Sequence, residues 1–366
     1  MKILVYNDIS CHVGGAETFA FKLMEGAEDQ GHEARFFSFH SKPLSRQKLS
    51  NKVYYVACNQ IRYPRIQRAF SRLLKEFKPD VIHCHNNYYY TSSICDTIVK
   101  SGIPAVATIH DYDLISPFLS PTASPLQELK RRQFRRIMRA SYQITSPTRK
   151  LIRELSFLDK EKFSYLPLYV DLNSWSFNPD TYKNPPRITF LGRLIEDKGI
   201  FILLEAFRLL VKKFPESKLS FIGSGQGESR LRQLIQDYGL QEQVELYGYI
   251  SLAKVQEIMS SSRMHVLSSI YEELFGLVGI EAQAIGLPVL AAQVGGVSEW
   301  CKEGETGYLY EAQNPQMLAE KMAYLLQHPL EGKRIARNAY ELIQKEYSKE
   351  KSIQLLIATY QKSIEA

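Results

Sequence analysis

Along its whole length the chain alternates short apolar runs with helical or loop segments, and it does so twice. In the first half the runs are KILVY, ARFFSF, DVIHCH, AVATIH and YQITS, interleaved with segments of helical spacing such as AETFAFKLMEGAEDQG. In the second half RITFLG, KLSFIG, VELYG, MHVLSS and PVLAA repeat the scheme. Strands alternating with helices require parallel sheets built from right-handed βαβ units, because only a crossover returns the chain to the same end of the sheet. Between the halves FNPDTYKNPPR, 177–187, is rich in Pro and Asn and poor in large aliphatic residues, as a linker is. The expected architecture is α/β, with two doubly wound, Rossmann-like domains facing a cleft. The expected boundaries are 1–176, a linker at 177–187, 188–350, and a terminal amphipathic helix at 351–366 packing back toward the first domain.

Composition narrows the class. At 366 residues, 45% hydrophobic and 23% charged, the chain has enough apolar material for two cores. Cys11, Cys58, Cys84, Cys95 and Cys301 are odd in number and unpaired in spacing, which suits reduced thiols in a cytoplasm. MKILVY meets polar Asn7 and Asp8 at once and lacks the apolar stretch of a signal peptide, and no uncharged run is long enough to span a bilayer. Charge is unevenly divided. Residues 1–180 carry 25 Lys and Arg against 17 Asp and Glu, whereas residues 181–366 carry 21 against 22. An anionic partner met by the first half alone fits this asymmetry.

Four glycine-bearing turns follow expected strands. SCHVGGAETFAFKL places Gly14 and Gly15 before a helix, where backbone N–H groups and the helix N-terminus favour an anion. FLGRLIEDKG places Arg193 and Lys198 just past a strand end, following Gly192. FIGSGQGE, with Gly223, matches a dinucleotide fingerprint, a weak signal on its own. The fourth, YEELFGLVGIEA, sets Glu273 and Glu281 seven intervening residues apart around a Phe-Gly step, with QVGGVSE shortly after. Measured along a helix that separation is about 12 Å, more than the ~5–9.5 Å between the paired carboxyls of a glycosidase. Two contacts along one extended ligand suit it better than an acid/base pair.

The order of these turns, GGAE, TIHD ending a strand at His110, GRL…KG, GSGQG, ELFGLVGIEA, GLPVLA and GG…E, resembles glycosyltransferase family 4 over nearly the whole chain. GHEA at 31–34 and TGYLY at 306–310 belong to the same resemblance, while Leu274 stands where the family usually has proline and LPLYVDLNSW replaces its usual Asn-Gly-Val-Asp. The resemblance implies a GT-B architecture and a retaining transfer from a nucleoside-diphosphate sugar, with no metal and no cofactor. It implies that the second domain holds the donor and the first the acceptor. Glu273 would contact the donor sugar and Glu281 the ribose hydroxyls, with Leu274 and the backbone N–H groups of Phe275, Gly276 and Leu277 between them. Arg193 and Lys198 would hold the diphosphate and stabilise the leaving oxygen. His110 would face the donor sugar, and Glu17 would lie on the acceptor side. With no carboxylate placed as a nucleophile, a front-face route suits the chain better than a double displacement.

Other motifs are set against this expectation. DYD at 111–113 imitates a metal site of a different architecture and suits a structural or acceptor-side part. HCH at 83–85 has metal-like spacing without a second ligand pair. LKRRQFRRIMR, 129–139, carries Lys130, Arg131, Arg132, Arg135, Arg136 and Arg139 and no acid. It suits peripheral docking on an anionic membrane to reach a lipid-linked acceptor, and equally a solvated helix face; no nucleic-acid motif accompanies it. The expected activity is a cytoplasmic hexosyltransferase of surface polysaccharide or glycolipid synthesis using a UDP- or GDP-sugar. The alternatives are a sugar-nucleotide epimerase, a phosphorylase, or a non-catalytic sugar-nucleotide-binding subunit.

Overall fold

The computed structural model describes residues 1–8, 15–39, 62–85, 91–110, 112, 115–119, 124–175, 177 and 186–366. Gly14, Cys11, Cys58, Asp111, Asp113 and most of the expected linker lie outside them. The chain divides into two units, Met1–Leu168 with Glu350–Ala366, and Tyr169–Lys349.

The first unit runs β1 (Lys2–Asn7), α1 (Gly15–Asp29), β2 (Glu33–Phe37), α2 (Pro64–Phe77), β3 (Val81–His85), α3 (Thr91–Ser101), β4 (Ala105–Thr108), α4 (Ser116–Leu119), α5 (Pro125–Ala140), β5 (Gln143–Ser146), α6 (Arg149–Asp159) and β6 (Phe163–Tyr165). Its sheet has the order β2-β1-β3-β4-β5-β6, parallel throughout. Every residue of β3, β4 and β5 is buried, as happens when helices cover both faces of a parallel sheet.

The second unit runs β7 (Arg187–Leu191), α7 (Ile200–Leu210), β8 (Lys218–Ile222), α8 (Glu228–Asp237), β9 (Val244–Leu246), α9 (Leu252–Ser260), β10 (Met264–Leu267), α10 (Leu277–Ile285), β11 (Val289–Ala292), β12 (Tyr308–Tyr310), α11 (Pro315–Gln327) and α12 (Pro329–Glu346). Its parallel sheet is ordered β12-β11-β10-β7-β8-β9. Phe190, Phe207, Phe221, Val266, Leu290 and Met322 lie at the centre of its core. The last helix, α13 (Lys349–Glu365), belongs to the first unit: Ser352 Oγ donates to Pro167 O at 3.1 Å and Tyr360 Oη lies 2.7 Å from His83 Nδ1.

Helix starts follow local chemistry. Ser124 and Gln127 form a reciprocal capping box at α5, with Pro125 in the first turn, and Asn314 caps α11 before Pro315. The ten expected strands are all present. β6 and β12 were not among them; both are three-residue edge strands, too short to leave an apolar run.

Strand order decides where a ligand can sit. In the first unit the order reverses between β1 and β3, and in the second between β7 and β10. Loops leaving the carboxyl ends of such neighbours diverge to opposite faces and leave a crevice.

Candidate active site

At the β7/β10 reversal three loops are clasped together. Ile270 N–H donates to Asp197 O at 2.9 Å, Ser268 Oγ to Lys198 O at 2.8 Å, and Gly296 N–H to Glu273 O at 2.8 Å. Two glycines make the clasp possible. Gly199 has φ +66° and a side chain there would stand 1.7 Å from Ser268 O; Gly295 has φ +53° and would meet Glu273 O at 1.8 Å. Only a residue without Cβ combines a left-handed turn with such an approach.

Lys198 and Glu273, 75 residues apart in sequence, form an ion pair at this point. Glu273 is only 6% exposed, so its carboxylate needs internal donors, and it has three. Besides Lys198, Ser269 Oγ donates to Oε1 at 2.5 Å and Tyr271 Oη to Oε2 at 3.1 Å. Lys198 Nζ also donates to Tyr271 Oη at 3.0 Å. Burial opposes the Lys198 charge, but the Glu273 carboxylate and Tyr271 outweigh it and hold the ammonium above the ordinary lysine value. Burial, then the neighbouring carboxylate, raises the Tyr271 phenol, which therefore stays a protonated donor. Arg193 is exposed and, among the described residues, its guanidinium has no hydrogen-bond or ion-pair partner. The crevice thus holds one cation already neutralised and one uncommitted.

The spacing of Glu273 and Glu281 needs correction. Glu273 lies in the loop, and α10 begins only after Gly276, so the stretch between the two glutamates is half loop and half helix. The 12 Å figure for a continuous helix does not apply. The Leu274 and Phe275 side chains point into the protein, at 7% and 2% exposure, and Phe275 packs against Tyr347 at 5.4 Å. Phe275 O accepts from Trp300 Nε1 at 2.6 Å, and the same indole fills the space beside Gly279, where a Cβ would come 2.0 Å from it. Trp300 therefore anchors the start of α10, and Glu281 sits half-buried within that helix.

The GSGQG turn serves the neighbouring loop. Leu194 N–H donates to Ser224 O at 2.9 Å, Gly227 N–H to Leu194 O at 2.8 Å, and Gly223 N–H to Gly248 O at 2.8 Å. Gly192 N–H is engaged by Ile222 O at 3.0 Å.

In the first unit His110 follows β4 and is half-buried. Its Nε2 lies 2.8 Å from Nδ1 of His85, at the carboxyl end of β3 beside the β1/β3 reversal. His83 packs against His85 with ring centroids 4.0 Å apart and planes tilted by 40°. Both nitrogens of His83 are engaged, Nδ1 with Tyr360 Oη and Nε2 with Thr108 Oγ1, each at 2.7 Å. HCH is thus a structural ladder and a partner for His110. Burial, with the neighbouring His110, lowers His83 to about 3. Burial alone lowers His110 to about 3, and burial with both neighbours puts His85 well below its usual value, so all three rings are neutral. Gly15 opens α1 and Glu17 is buried in its first turn.

On α5, Glu128 lies 3.7 Å from Arg131 and 3.5 Å from both Arg132 and Arg135, while Arg136 bonds Ser92. One acid just ahead of the basic run thus tempers its field. Among the described residues no helix is long and apolar enough to cross a membrane. Ser269, Tyr271, Trp300 and His85 were not among the expected site residues. Tyr271 and Ser269 flank the Glu273 motif, and Trp300 follows GG…E directly.

Comparison with known proteins accords with this geometry. The model for Glycosyltransferase Family 4 matches residues 13–174 and that for Glycosyl transferases group 1 matches 173–342. N-acetyl-alpha-D-glucosaminyl L-malate synthase of Bacillus anthracis is 24% identical, covering 92% of this chain and 93% of its own. Phosphatidyl-myo-inositol mannosyltransferase of Mycobacterium leprae is 26% identical over 86% and 84%. Among solved structures, Anabaena HepE in complex with UDP superposes with TM-score 0.79 at 19% identity, covering 99% of this chain and 100% of that one. Sucrose-phosphate synthase from Thermosynechococcus elongatus gives 0.81 at 19% identity, with 99% of each chain covered. Two Rossmann-like units, the family matches to each half and these likenesses together make the chain a GT-B glycosyltransferase of group 1, family 4.

Proposed function

We propose that the chain transfers a sugar, with retention of anomeric configuration and without a metal ion, from a nucleoside-diphosphate sugar to a glycan or glycolipid acceptor. The observation that carries this is the loop leaving β7 at the β7/β10 reversal, which supplies exposed Arg193 and a Lys198 held by the buried Glu273 carboxylate. Departure of a sugar leaves negative charge on a pyrophosphate oxygen, and two fixed cations are suited to hold it; one such group contributes roughly 3 kcal/mol in a transition state. Lys198 turns from Glu273 toward the phosphates, and the carboxylate so released accepts hydrogen bonds from sugar hydroxyls. The leaving phosphate takes the acceptor's proton on the same face. Solved relatives with UDP and with UDP-glucose bound support a uridine donor, and a relative named for a phosphatidyl-inositol acceptor supports a lipid-linked one.

The test is a screen of UDP- and GDP-sugars by thermal shift, followed by turnover with EDTA present and proton NMR of the product's anomeric coupling. A stabilising donor, undiminished turnover and a product of the donor's own configuration are expected. No stabilisation by any donor, or an inverted product, would refute the proposal.

A further inference from the structure

The histidine pair of the first unit leaves one atom unaccounted for. His85 is fully buried, its Nδ1 faces His110 Nε2 at 2.8 Å, and among the described residues its Nε2 has no hydrogen-bond partner. His110 is half-buried, and among the described residues nothing bonds its Nδ1. With both rings neutral, a single proton occupies the line between them, and its owner determines what each outer nitrogen carries.

Two arrangements exist. If His110 Nε2–H donates, His85 Nε2 carries a hydrogen buried without an acceptor, and His110 shows the ligand a lone pair. If His85 Nδ1–H donates, His85 Nε2 is a bare lone pair, and His110 shows the ligand an N–H. Orphaned buried N–H groups are rare in proteins, whereas under-satisfied acceptors are better tolerated. The surroundings hold the first ring in place, since His83 packs against it with centroids 4.0 Å apart and is tied at both nitrogens to Tyr360 and Thr108, with Thr108 Oγ1 a further 2.6 Å from Thr145 Oγ1. His85 is therefore rigid enough to dictate the arrangement.

We infer that His85 is a positioning residue that fixes His110 as the Nδ1–H tautomer, so that His110 meets its ligand as a hydrogen-bond donor to an oxygen lone pair and not as a base. This rests on the proposed function for the identity of that oxygen, a sugar hydroxyl. The tautomer itself does not depend on it.

The experiment is long-range proton–nitrogen correlation of the full chain, labelled with nitrogen-15 in its histidine rings, at neutral pH, with the His110 signals assigned by their loss in His110→Gln. An Nδ1–H pattern for His110 is expected, converting in His85→Phe to the Nε2–H or averaged pattern. His85→Asn, whose amide N–H reaches the Nδ1 position, should restore the Nδ1–H pattern. It also covers the case in which His85→Phe does not fold, because an Nε2–H pattern in a folded His85→Asn overturns the inference. So does an Nε2–H pattern in the unaltered chain, or an unchanged Nδ1–H pattern in His85→Phe. With a donor that turns over, kcat should fall about tenfold or more in His85→Phe and stay within about threefold in His85→Asn, with KM moving less. If no sugar nucleotide is turned over but the tautomer responds as described, the proposed function fails and the His85 assignment stands.

Discussion

At the scale of single residues, the chemistry of the second unit rests on how Lys198 is shared. Its ammonium is held charged by Glu273 against the burial that opposes it, with Tyr271 bridging the two. Glu273→Gln removes the negative charge and leaves only Tyr271 to oppose burial, so the Lys198 pKa falls. The alkaline limit of activity should then move to lower pH, and kcat/KM should drop by about a hundredfold, the size of a lost charged contact in a transition state. Tyr271→Phe keeps the ion pair and removes only the bridging hydroxyl, a charge-assisted bond of about 1.5 kcal/mol, which is about tenfold. pH–rate profiles of the two variants check this, and an unmoved alkaline limb in Glu273→Gln contradicts it. Sequence made the glutamate and the lysine legible as separate motifs. It did not show that they touch, because 75 residues separate them and only the position of β10 beside β7 joins their loops. His85 was hidden for the same reason: its spacing from His83 points to a metal, and its true partner lies just past the end of the neighbouring strand.

Among elements, the decisive feature is the clasp of loops after β7, β10 and β11. A methyl group at Gly295 would have to occupy space 1.8 Å from Glu273 O in a backbone conformation that disfavours side chains. The left-handed strain and the overpacking together predict a loss of about 2–4 kcal/mol for Gly295→Ala. A urea midpoint unchanged from the parent chain would rule out the clasp as a source of rigidity. Strands and their following helices could be read from periodicity, since each is a local pattern of apolar residues. Helix α10 shows the limit of that method. Apolar spacing runs unbroken through Leu274 and Phe275 into the helix, yet Gly276 at φ +80° starts it later, and Trp300, distant in sequence, holds Phe275 outside it.

For the whole molecule, burying neutral imidazoles makes folding sensitive to acid. His83, His110 and His265 are lowered by burial to about 3, and His85 lies well below its usual value. In the unfolded chain such groups titrate near 6.5. As pH falls below that value the unfolded state takes up protons that the folded state refuses, so stability present above pH 6.5 is lost progressively toward 3. Each histidine contributes about 1.4 kcal/mol per pH unit within that window. The urea midpoint should therefore decline steadily from pH 7 to pH 5, and a flat profile would show that the rings accept protons without unfolding. The GT-B class was legible because the order of several loop motifs is more specific than any one of them. The arrangement of α13 has a further effect, on the timing of synthesis. The partner of His83, Tyr360, is translated after every residue of Tyr169–Lys349. The amino-terminal sheet therefore lacks one of its packing helices until all of Tyr169–Lys349 has been synthesised, and a nascent chain halted before that helix carries an unfinished first unit although the second already has all its residues.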